Sequence, residues 1–286
     1  MFVQFVINGL ITGILYSLLA IGFALVYNTT HIFHIAAAGF YVFAAYMFWW
    51  FAQSMGILPA CILSLTATAI LSVLIDLSVY RPLQEKNSSL NSILVASIGI
   101  MTILVNLLAM FFGNESKLFS GEVQTMEFGN IFLTQTQITQ VVCGGLVLIL
   151  FLVFVKKTSL GIQLLALNSD NELFVALGYN EGKTRTFVFI LSGLFIGLSS
   201  MLNVYDVGMD PNMGMNILIN AMVAMIIGGI GRLDMCIAGG LLLGLLQSLI
   251  IYQFSSTWQT GITFLALLIL LFFRPQGISG FKRRTV

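Results

Sequence analysis

The sequence contains little charge. Of its 286 residues only 8% are Asp, Glu, Lys or Arg, whereas 58% are apolar, and the mean hydropathy is +1.00. A soluble domain of this size could not cover its surface with so few charged side chains. The 12 basic and 11 acidic residues give a net charge of +1, which provides no electrostatic reason to expect a nucleic-acid partner.

Cysteine and histidine are also scarce. Cys61, Cys143 and Cys236 are scattered without CxxC spacing, and we interpret them as packing residues. His31 and His34 have no acidic neighbour, which makes them a poor metal site. We therefore expect neither a metal nor a cofactor.

Long apolar runs make up most of the sequence. They lie near 2 to 27, 35 to 52, 57 to 79, 90 to 112, 138 to 155, 187 to 205, 214 to 230, 237 to 253 and 258 to 273. Each approaches the roughly 20 residues that a helix needs to cross the hydrocarbon core. Only helices or closed barrels satisfy their backbone groups in lipid, and the alternation of barrel strands is missing from these runs. We predict an all-α membrane protein of 8 to 9 segments, with broken or re-entrant helices near 28 to 40 and 206 to 231.

Basic residues fall on alternate connections between the runs, which predicts the orientation. They are Arg81, Lys86, Lys156, Lys157, Lys183, Arg185, Arg232, Arg274, Lys282, Arg283 and Arg284. Basic loops are retained in the cytoplasm, so we expect these connections and the C-terminus to be cytoplasmic. The intervening loops are acidic or uncharged, and we expect them to face outward.

Small residues recur four apart in three apolar runs, at Gly9 and Gly13, Gly193 and Gly197, and Gly240 and Gly244. Such GxxxG pairs let helix backbones approach closely. They predict tight packing and indicate no function.

A short helix is predicted within the loop 156 to 186. Ser169 followed by Glu172 is a capping-box pattern, and Asp170 and Glu172 both suit the positive end of a helix. Gly178 is placed to terminate the helix in the left-handed conformation.

The predicted helix has two turns, is bracketed by Gly161 and Gly178, and carries Leu173, Ala176 and Leu177 on one face. A helix this short needs a partner for its apolar face. That partner is either the rest of the bundle or a cytosolic subunit.

Five stretches resemble, in order, the branched-chain amino acid permease family of ABC importers. They are INGLITGILYSLLAIGFALVY at 7 to 27, VYRPLQEKNSSLNSILVASIGI at 79 to 100, SLGIQLLALNSDNELFVALGYNEGKTRTFVFILSGLFIGLSSML from Ser159, DPNMGMNILINAMVAMIIGGIGRLDMCIAGGLLLGLLQSL at 210 to 249, and FFRPQGISG at 272 to 280. The resemblance covers nearly the whole chain. It departs at Ala37 and Ala38, where family members usually show a histidine and a glycine.

The resemblance implies one permease domain over residues 1 to 286, in the inner membrane, with 156 to 186 as the loop that couples to ATPase subunits. It also implies a second permease subunit, homologous or identical, and an extracytoplasmic solute-binding protein. The transported solutes would be branched-chain amino acids or related small polar molecules. No GxxxxGK[ST] phosphate loop occurs in the sequence, so nucleotide must be bound by another chain and we expect no enzymatic activity here.

Polar residues inside apolar runs are candidates for the translocation path, because an unpaired polar group is costly in lipid. Asn216 and Asn220 lie one turn apart, and Gly228 and Gly229 could break their helix and free backbone groups for solute. His34 is a further candidate. The alternative for each polar side chain is an interhelical hydrogen bond, which also applies to Asn106, Asn203 and Gln247.

Two other classes of protein remain to be weighed. A self-sufficient secondary transporter or channel would explain the bundle, but it would be expected to carry more intramembrane ionisable residues than Asp76. For Asp76 we favour ion pairing near Arg81. A membrane enzyme would need a nucleophile or metal constellation, and none of the usual ligand spacings occurs in the sequence.

Overall fold

The structure is a computed structural model that describes residues 2–119, 125–128, 131–169, 171–253, 256–273 and 277–278. Thirteen α-helices occur in this part of the chain: α1 (Phe2–Thr30), α2 (Ala37–Met55), α3 (Ile57–Ile75), α4 (Arg81–Glu85), α5 (Leu90–Phe112), α6 (Gln135–Thr139), α7 (Gly145–Lys157), α8 (Ser159–Ser169), α9 (Asn171–Ala176), α10 (Glu181–Val207), α11 (Met213–Gly228), α12 (Leu233–Gln253) and α13 (Gln259–Phe273). Single π turns join α3 to α4 (Asp76–Tyr80) and α6 to α7 (Gln140–Gly144).

Six uninterrupted helical runs in the described part are long and apolar enough to cross a membrane: Phe2–Thr30, Ile57–Glu85, Leu90–Phe112, Gln135–Lys157, Glu181–Val207 and Leu233–Gln253. Their outward faces are apolar, as on α5, where Val95, Ile103, Met110 and Phe111 are exposed. Apolar side chains that point away from the protein are what lipid contact requires. The structure therefore confirms a helical membrane protein, and six runs rather than 8 to 9 meet the length requirement.

Helix α1 lies at the centre of the bundle and packs most closely on α12. A Cβ added at Gly9 would lie 2.8 Å from Cβ of Ser248, and one added at Gly13 would lie 2.8 Å from Cα of Leu241. Gly240 and Gly244 face α1 in the same way. The glycine pairs therefore allow the close approach that the sequence predicts, since no larger side chain would fit between these backbones.

The third glycine pair is used at a different contact. A Cβ at Gly193 of α10 would lie 2.9 Å from Cα of Ala69 on α3, and Gly197 faces Leu65. The hydroxyl of Ser72 donates to the carbonyl of Phe189 at 2.8 Å across the same pair of helices. Helix α10 is thus held between α3 and the central α1.

Links between separate helices fall in the two regions for which the sequence predicts broken or re-entrant helices. Residues 31 to 36 separate α1 from α2, with His31 at a φ of +56°. Helix α10 ends before Gly208 at a φ of +85°, and α11 ends at Gly228 before Gly229 at a φ of +113°. Glycine suits both positive-φ positions because it has no Cβ to clash with the backbone.

One end of the bundle, the basic end, gathers the termini of several helices. Gln84 donates to the carbonyl of Thr30 at 3.0 Å, Arg81 donates to the carbonyl of Gly182 at 3.3 Å, and Asn168 donates to the carbonyl of Gly231 at 2.8 Å. These contacts hold α4 against α1 and α10, and α8 against the link between α11 and α12.

The opposite end, the hairpin end, carries an antiparallel β-hairpin of β1 (Thr125–Phe128) and β2 (Ile131–Thr134), which the sequence analysis does not predict. The side-chain amide of Gln4 pairs with both backbone groups of Phe132, at 2.8 and 2.9 Å. Thr136 donates to Asp206 at 2.5 Å. The start of α1, the hairpin and the end of α10 therefore lie together.

Candidate coupling and transport sites

The loop predicted to hold one short helix contains two helices, α8 and α9. Gly161 does not precede a helix but lies in the first turn of α8, where its N–H donates to the Thr158 hydroxyl at 3.0 Å. A Cβ at Gly161 would lie 2.6 Å from Cα of Val155 on α7. The prediction of Gly161 as a boundary is wrong, because this glycine allows α8 to fold back against α7.

Helix α9 ends as the sequence predicts. Gly178 has a φ of +83°, its N–H donates to the carbonyl of Val175 at 2.9 Å, and the N–H of Tyr179 donates to the carbonyl of Phe174 at 3.4 Å. These bonds satisfy carbonyls that the helix end leaves unpaired. Asp170 lies outside the described residues, as do the side chains of Ser169, Glu172 and Leu173.

Among the α9 residues whose side chains the structure describes, Phe174 is buried; it is 1% exposed and stacks on Tyr179 with ring centroids 5.0 Å apart. Ala176 and Leu177, predicted to share an apolar face, are both exposed, and Leu177 is 65% exposed. Phe174 packs against the bundle, whereas Val175 and Leu177 point away from it. Val175, Ala176, Leu177 and Tyr179 form an exposed surface, the α9 patch.

A buried ion pair lies at the basic end, close to the start of α10. Arg185 donates through Nε to both Asp76 carboxylate oxygens, at 2.9 and 3.1 Å, and through a terminal nitrogen to Oδ1 at 2.5 Å. Asp76 is 1% exposed. Arg81, the partner expected from the sequence, is 3.9 Å from the carboxylate. Proximity in the sequence indicated Arg81 as the partner of Asp76, whereas the fold brings Arg185 to Asp76 from 109 positions away.

His34 is buried in the link between α1 and α2. Its Nδ1 lies 3.0 Å from the Tyr80 hydroxyl, which lies 2.9 Å from Oγ of Ser97. Ser97 in turn accepts from the N–H of Ala36 at 2.9 Å. His34 Nε2 has no hydrogen-bond partner among the described residues. The histidine therefore sits at a junction of α2, α5 and the π turn after α3.

The two asparagines of α11 have different surroundings. Asn216 is exposed, whereas Asn220 donates to the Tyr16 hydroxyl at 3.2 Å and accepts from Gln247 at 3.0 Å. Tyr16 also donates to Gln247 Oε1 at 2.9 Å. Gln247 also bonds two residues of α13: it donates to the Thr263 hydroxyl at 3.2 Å and accepts from the side-chain amide of Gln259 at 2.8 Å.

These five side chains form the polar cluster, defined by Tyr16, Asn220, Gln247, Gln259 and Thr263. Gln247 was recognised in the sequence as polar within an apolar run, but Tyr16, Gln259 and Thr263 were missed. A tyrosine or threonine is common in membrane helices, so only the fold shows that they converge.

Gly228, the last residue of α11, and the alanines at the start of α2 lie at close contacts between backbones. A Cβ at Gly228 would press on the backbone of Met235 and Cys236. Ala37 and Ala38 are 0% and 1% exposed, and a Cβ at Gly214 would lie 2.5 Å from the carbonyl oxygen of Ala38. The small residues at 37 and 38 allow α2 to lie directly against α11.

Within the described part of the chain, no group of three or more His, Cys, Asp or Glu side chains is arranged to hold a metal. The recognisable features are a helical membrane bundle, a capped helix with an exposed apolar patch at one end, and neutral polar side chains in the interior. Together they define the class of polytopic membrane transport proteins.

Comparison with known proteins gives the family. The model of the family "Branched-chain amino acid transport system / permease component" matches residues 5–272, and the chain belongs to this family. A probable branched-chain amino acid transport permease LivH of Methanocaldococcus jannaschii is 28% identical over 92% of this chain and 88% of its own length. The permease BraD of a high-affinity system in Pseudomonas aeruginosa is 26% identical over 98% of this chain and 96% of its own.

A third relative, the LivH permease of Escherichia coli, is 24% identical over 98% of this chain and 96% of its own. Among solved structures, PsaBC from Streptococcus pneumoniae in complex with Fab aligns with a TM-score of 0.50 and 15% identity, covering 96% of this chain and 92% of that chain. This likeness supports the fold.

Proposed function

We propose that this chain is the membrane-spanning permease subunit of an ABC importer that carries branched-chain amino acids or similar small polar solutes into the cell. The observation that carries the proposal is α9. Val175 of this six-residue helix, together with Leu177 and Tyr179 directly after it, forms an exposed apolar surface, and such a surface is typical of a site that another chain covers.

ATPase subunits would bind at the α9 patch. The patch is apolar, and an apolar centre is how protein interfaces are commonly built. ATP hydrolysis would take place in those subunits, and this chain would transmit their closure through α9 to the bundle.

In this proposal the basic end faces the cytoplasm and the hairpin end faces outward. Helices α2, α11 and α13 then cross together with the six long runs, giving nine crossings with the N-terminus outside and the C-terminus inside. Contacts support the first of these crossings, because Gln4 of α1 lies at the hairpin end and Thr30 at the basic end. The extracytoplasmic solute-binding protein would dock at the hairpin end.

Solute would pass along the face of α11 that carries Asn216 and Asn220. Asn216 is exposed in this single chain, as expected of a residue at a cavity shared with a second permease subunit, homologous or identical. The polar cluster behind Asn220 offers amides and hydroxyls but no charge, which suits the amino and carboxylate groups of a small zwitterion. His34 would support the helix ends beside the path.

The α9 patch gives the test. Leu177→Glu should abolish co-purification of the ATPase subunits encoded with this chain, while the permease still inserts into the membrane, because a carboxylate would be buried in an apolar contact. Met126→Glu in the hairpin is the matched control, since Met126 is also an exposed apolar residue but lies at the opposite end. ATPase subunits that stay bound to Leu177→Glu would refute the docking assignment.

A further inference from the structure

The long helix that begins at Ile57 contains one π turn, Asp76–Tyr80, between α3 and α4. Single π turns inside α-helices are uncommon and are frequently found at functional positions. Here the first and the last residue of the turn are both buried, Asp76 at 1% and Tyr80 at 0% exposure. The turn therefore directs two polar side chains into the protein from one short segment.

The Asp76 side of the turn is fastened to the segment that follows α9. Its carboxylate receives three contacts from Arg185, and Arg185 also donates to Gln84 of α4. Arg81, which follows the turn directly, donates to Gly182 and Thr186 of α10. Multidentate guanidinium–carboxylate contacts fix both distance and direction, so α10 cannot shift at this end without the π turn.

The Tyr80 side of the turn is fastened to other helices. The Tyr80 hydroxyl bonds His34 in the link between α1 and α2 and Ser97 near the start of α5, and Ser97 holds the N–H of Ala36. The ring of Phe189 on α10 lies 6.0 Å from that of Tyr80. One turn of helix thus joins the segment after α9 to the entry of α2 and α5.

We propose that the π turn Asp76–Tyr80 is the mechanical joint that passes movement of α9 and α10 to α2 and α5, and that Arg185 and Asp76 are its positioning residues. The inference rests on the proposed function, because it assumes that α9 receives force from an ATPase. It assigns to the ion pair a role in coupling beyond holding the fold together. Coupling through packed contacts requires a direct test of energetic linkage.

The test uses the full complex with its ATPase and binding protein, reconstituted in vesicles, with leucine as the transported probe. Leucine carried per ATP hydrolysed is measured for Arg185→Gln, Asp76→Asn and the double variant. We expect each single variant to keep its ATPase subunits and basal hydrolysis but to lose at least tenfold in leucine per ATP. The double variant should lose no more than either single variant, because both changes break one interaction.

Arg232→Gln is the matched control. Arg232 also pairs with an aspartate, Asp234, at 2.6 Å at the basic end, but that pair joins residues two positions apart and bridges no helices. The Arg232→Gln complex should retain the wild-type ratio of leucine transported to ATP hydrolysed. Asp76→Glu should recover part of the loss, since it keeps the charge and moves the carboxylate by one methylene.

Three results would refute the proposed role of the π turn. They are a wild-type ratio of leucine transported to ATP hydrolysed in Arg185→Gln, additive losses of this ratio in the double variant, or an equal loss of the ratio in Arg232→Gln. If Arg185→Gln does not assemble, Asp76→Asn decides, and a wild-type ratio of leucine transported to ATP hydrolysed in an assembled Asp76→Asn complex would count against the joint. Failure of the proposed function gives a different result, namely a wild-type chain that neither retains an ATPase nor takes up leucine.

Discussion

Gly178 ends α9 at a φ of +83°, and a Cβ added there would meet no described atom within 4 Å. Gly178→Val therefore introduces no clash with a neighbour, and its effect comes from the backbone alone. A non-glycine residue in the left-handed region costs roughly 1–2 kcal/mol, with β-branched side chains at the upper end. That cost is a factor of about 5–30 in the population of the correctly terminated helix.

A matched control separates loss of coupling from loss of stability. Gly113 has a φ of +84° and equally open surroundings but follows α5 at the other side of the bundle, near the bridge between Lys117 and Met209. Gly113→Val should impose a backbone cost at least as large as that of Gly178→Val, because a φ of +84° with a ψ of 169° is open essentially to glycine alone, and this cost arises far from α9.

We expect both variants to insert, and Gly113→Val to lose at least as much thermal stability as Gly178→Val, measured by fluorescence-detected size exclusion after heating. Only Gly178→Val should lose ATPase binding, or the stimulation of ATP hydrolysis by loaded binding protein, by about an order of magnitude. Equal ATPase stimulation in the two variants would show that the end of α9 plays no part in coupling.

Two further predictions address orientation and the path. In a background without native cysteines, Ser159→Cys should resist an impermeant thiol reagent added to intact cells, because the basic end is cytoplasmic in the proposed orientation. Glu127→Cys at the hairpin end should react. Labelling of Ser159→Cys from outside would show that the orientation is the reverse of the one proposed. Asn220→Leu should reduce leucine uptake several-fold with ATPase binding intact, since it removes an amide from the path and two hydrogen bonds of the polar cluster, each worth about 0.5–1.5 kcal/mol net because Tyr16 and Gln247 keep their other partners. Asn106→Leu is its control, because among the described residues Asn106 bonds only Thr102 of its own helix. Uptake at the wild-type rate in Asn220→Leu would make Asn220 a packing residue.

Local signals predicted the fold well. Apolar runs located the helices because lipid imposes one length requirement on every crossing segment. Gly178 could be recognised as a terminator because the left-handed conformation is a property of a single residue. Shorter helices such as α11, at 16 residues, made the number of crossings ambiguous by length alone.

Contacts between distant segments were not predictable in the same way. Asp76 was assigned to Arg81, five positions away, although Arg185 binds it more closely. Gly161 was read as a helix boundary because glycine signals both helix ends and close packing, and only the position of α7 distinguishes the two. Phe174 anchors α9 instead of Leu177, because a two-turn helix has too few residues for periodicity to define its buried face.

The interlocked glycines of α1 and α12 have a consequence for biosynthesis. The two partners are separated by more than 200 residues, as shown by the bonds from Ser17 to Ile237 and from Ser248 to Phe5. Helix α1 leaves the ribosome long before α12 and cannot bury its glycine face until α12 has entered the membrane. The central helix of the bundle is thus among the last to complete its packing, and a chain truncated before Leu233 would present the uncovered face of α1 to membrane quality control.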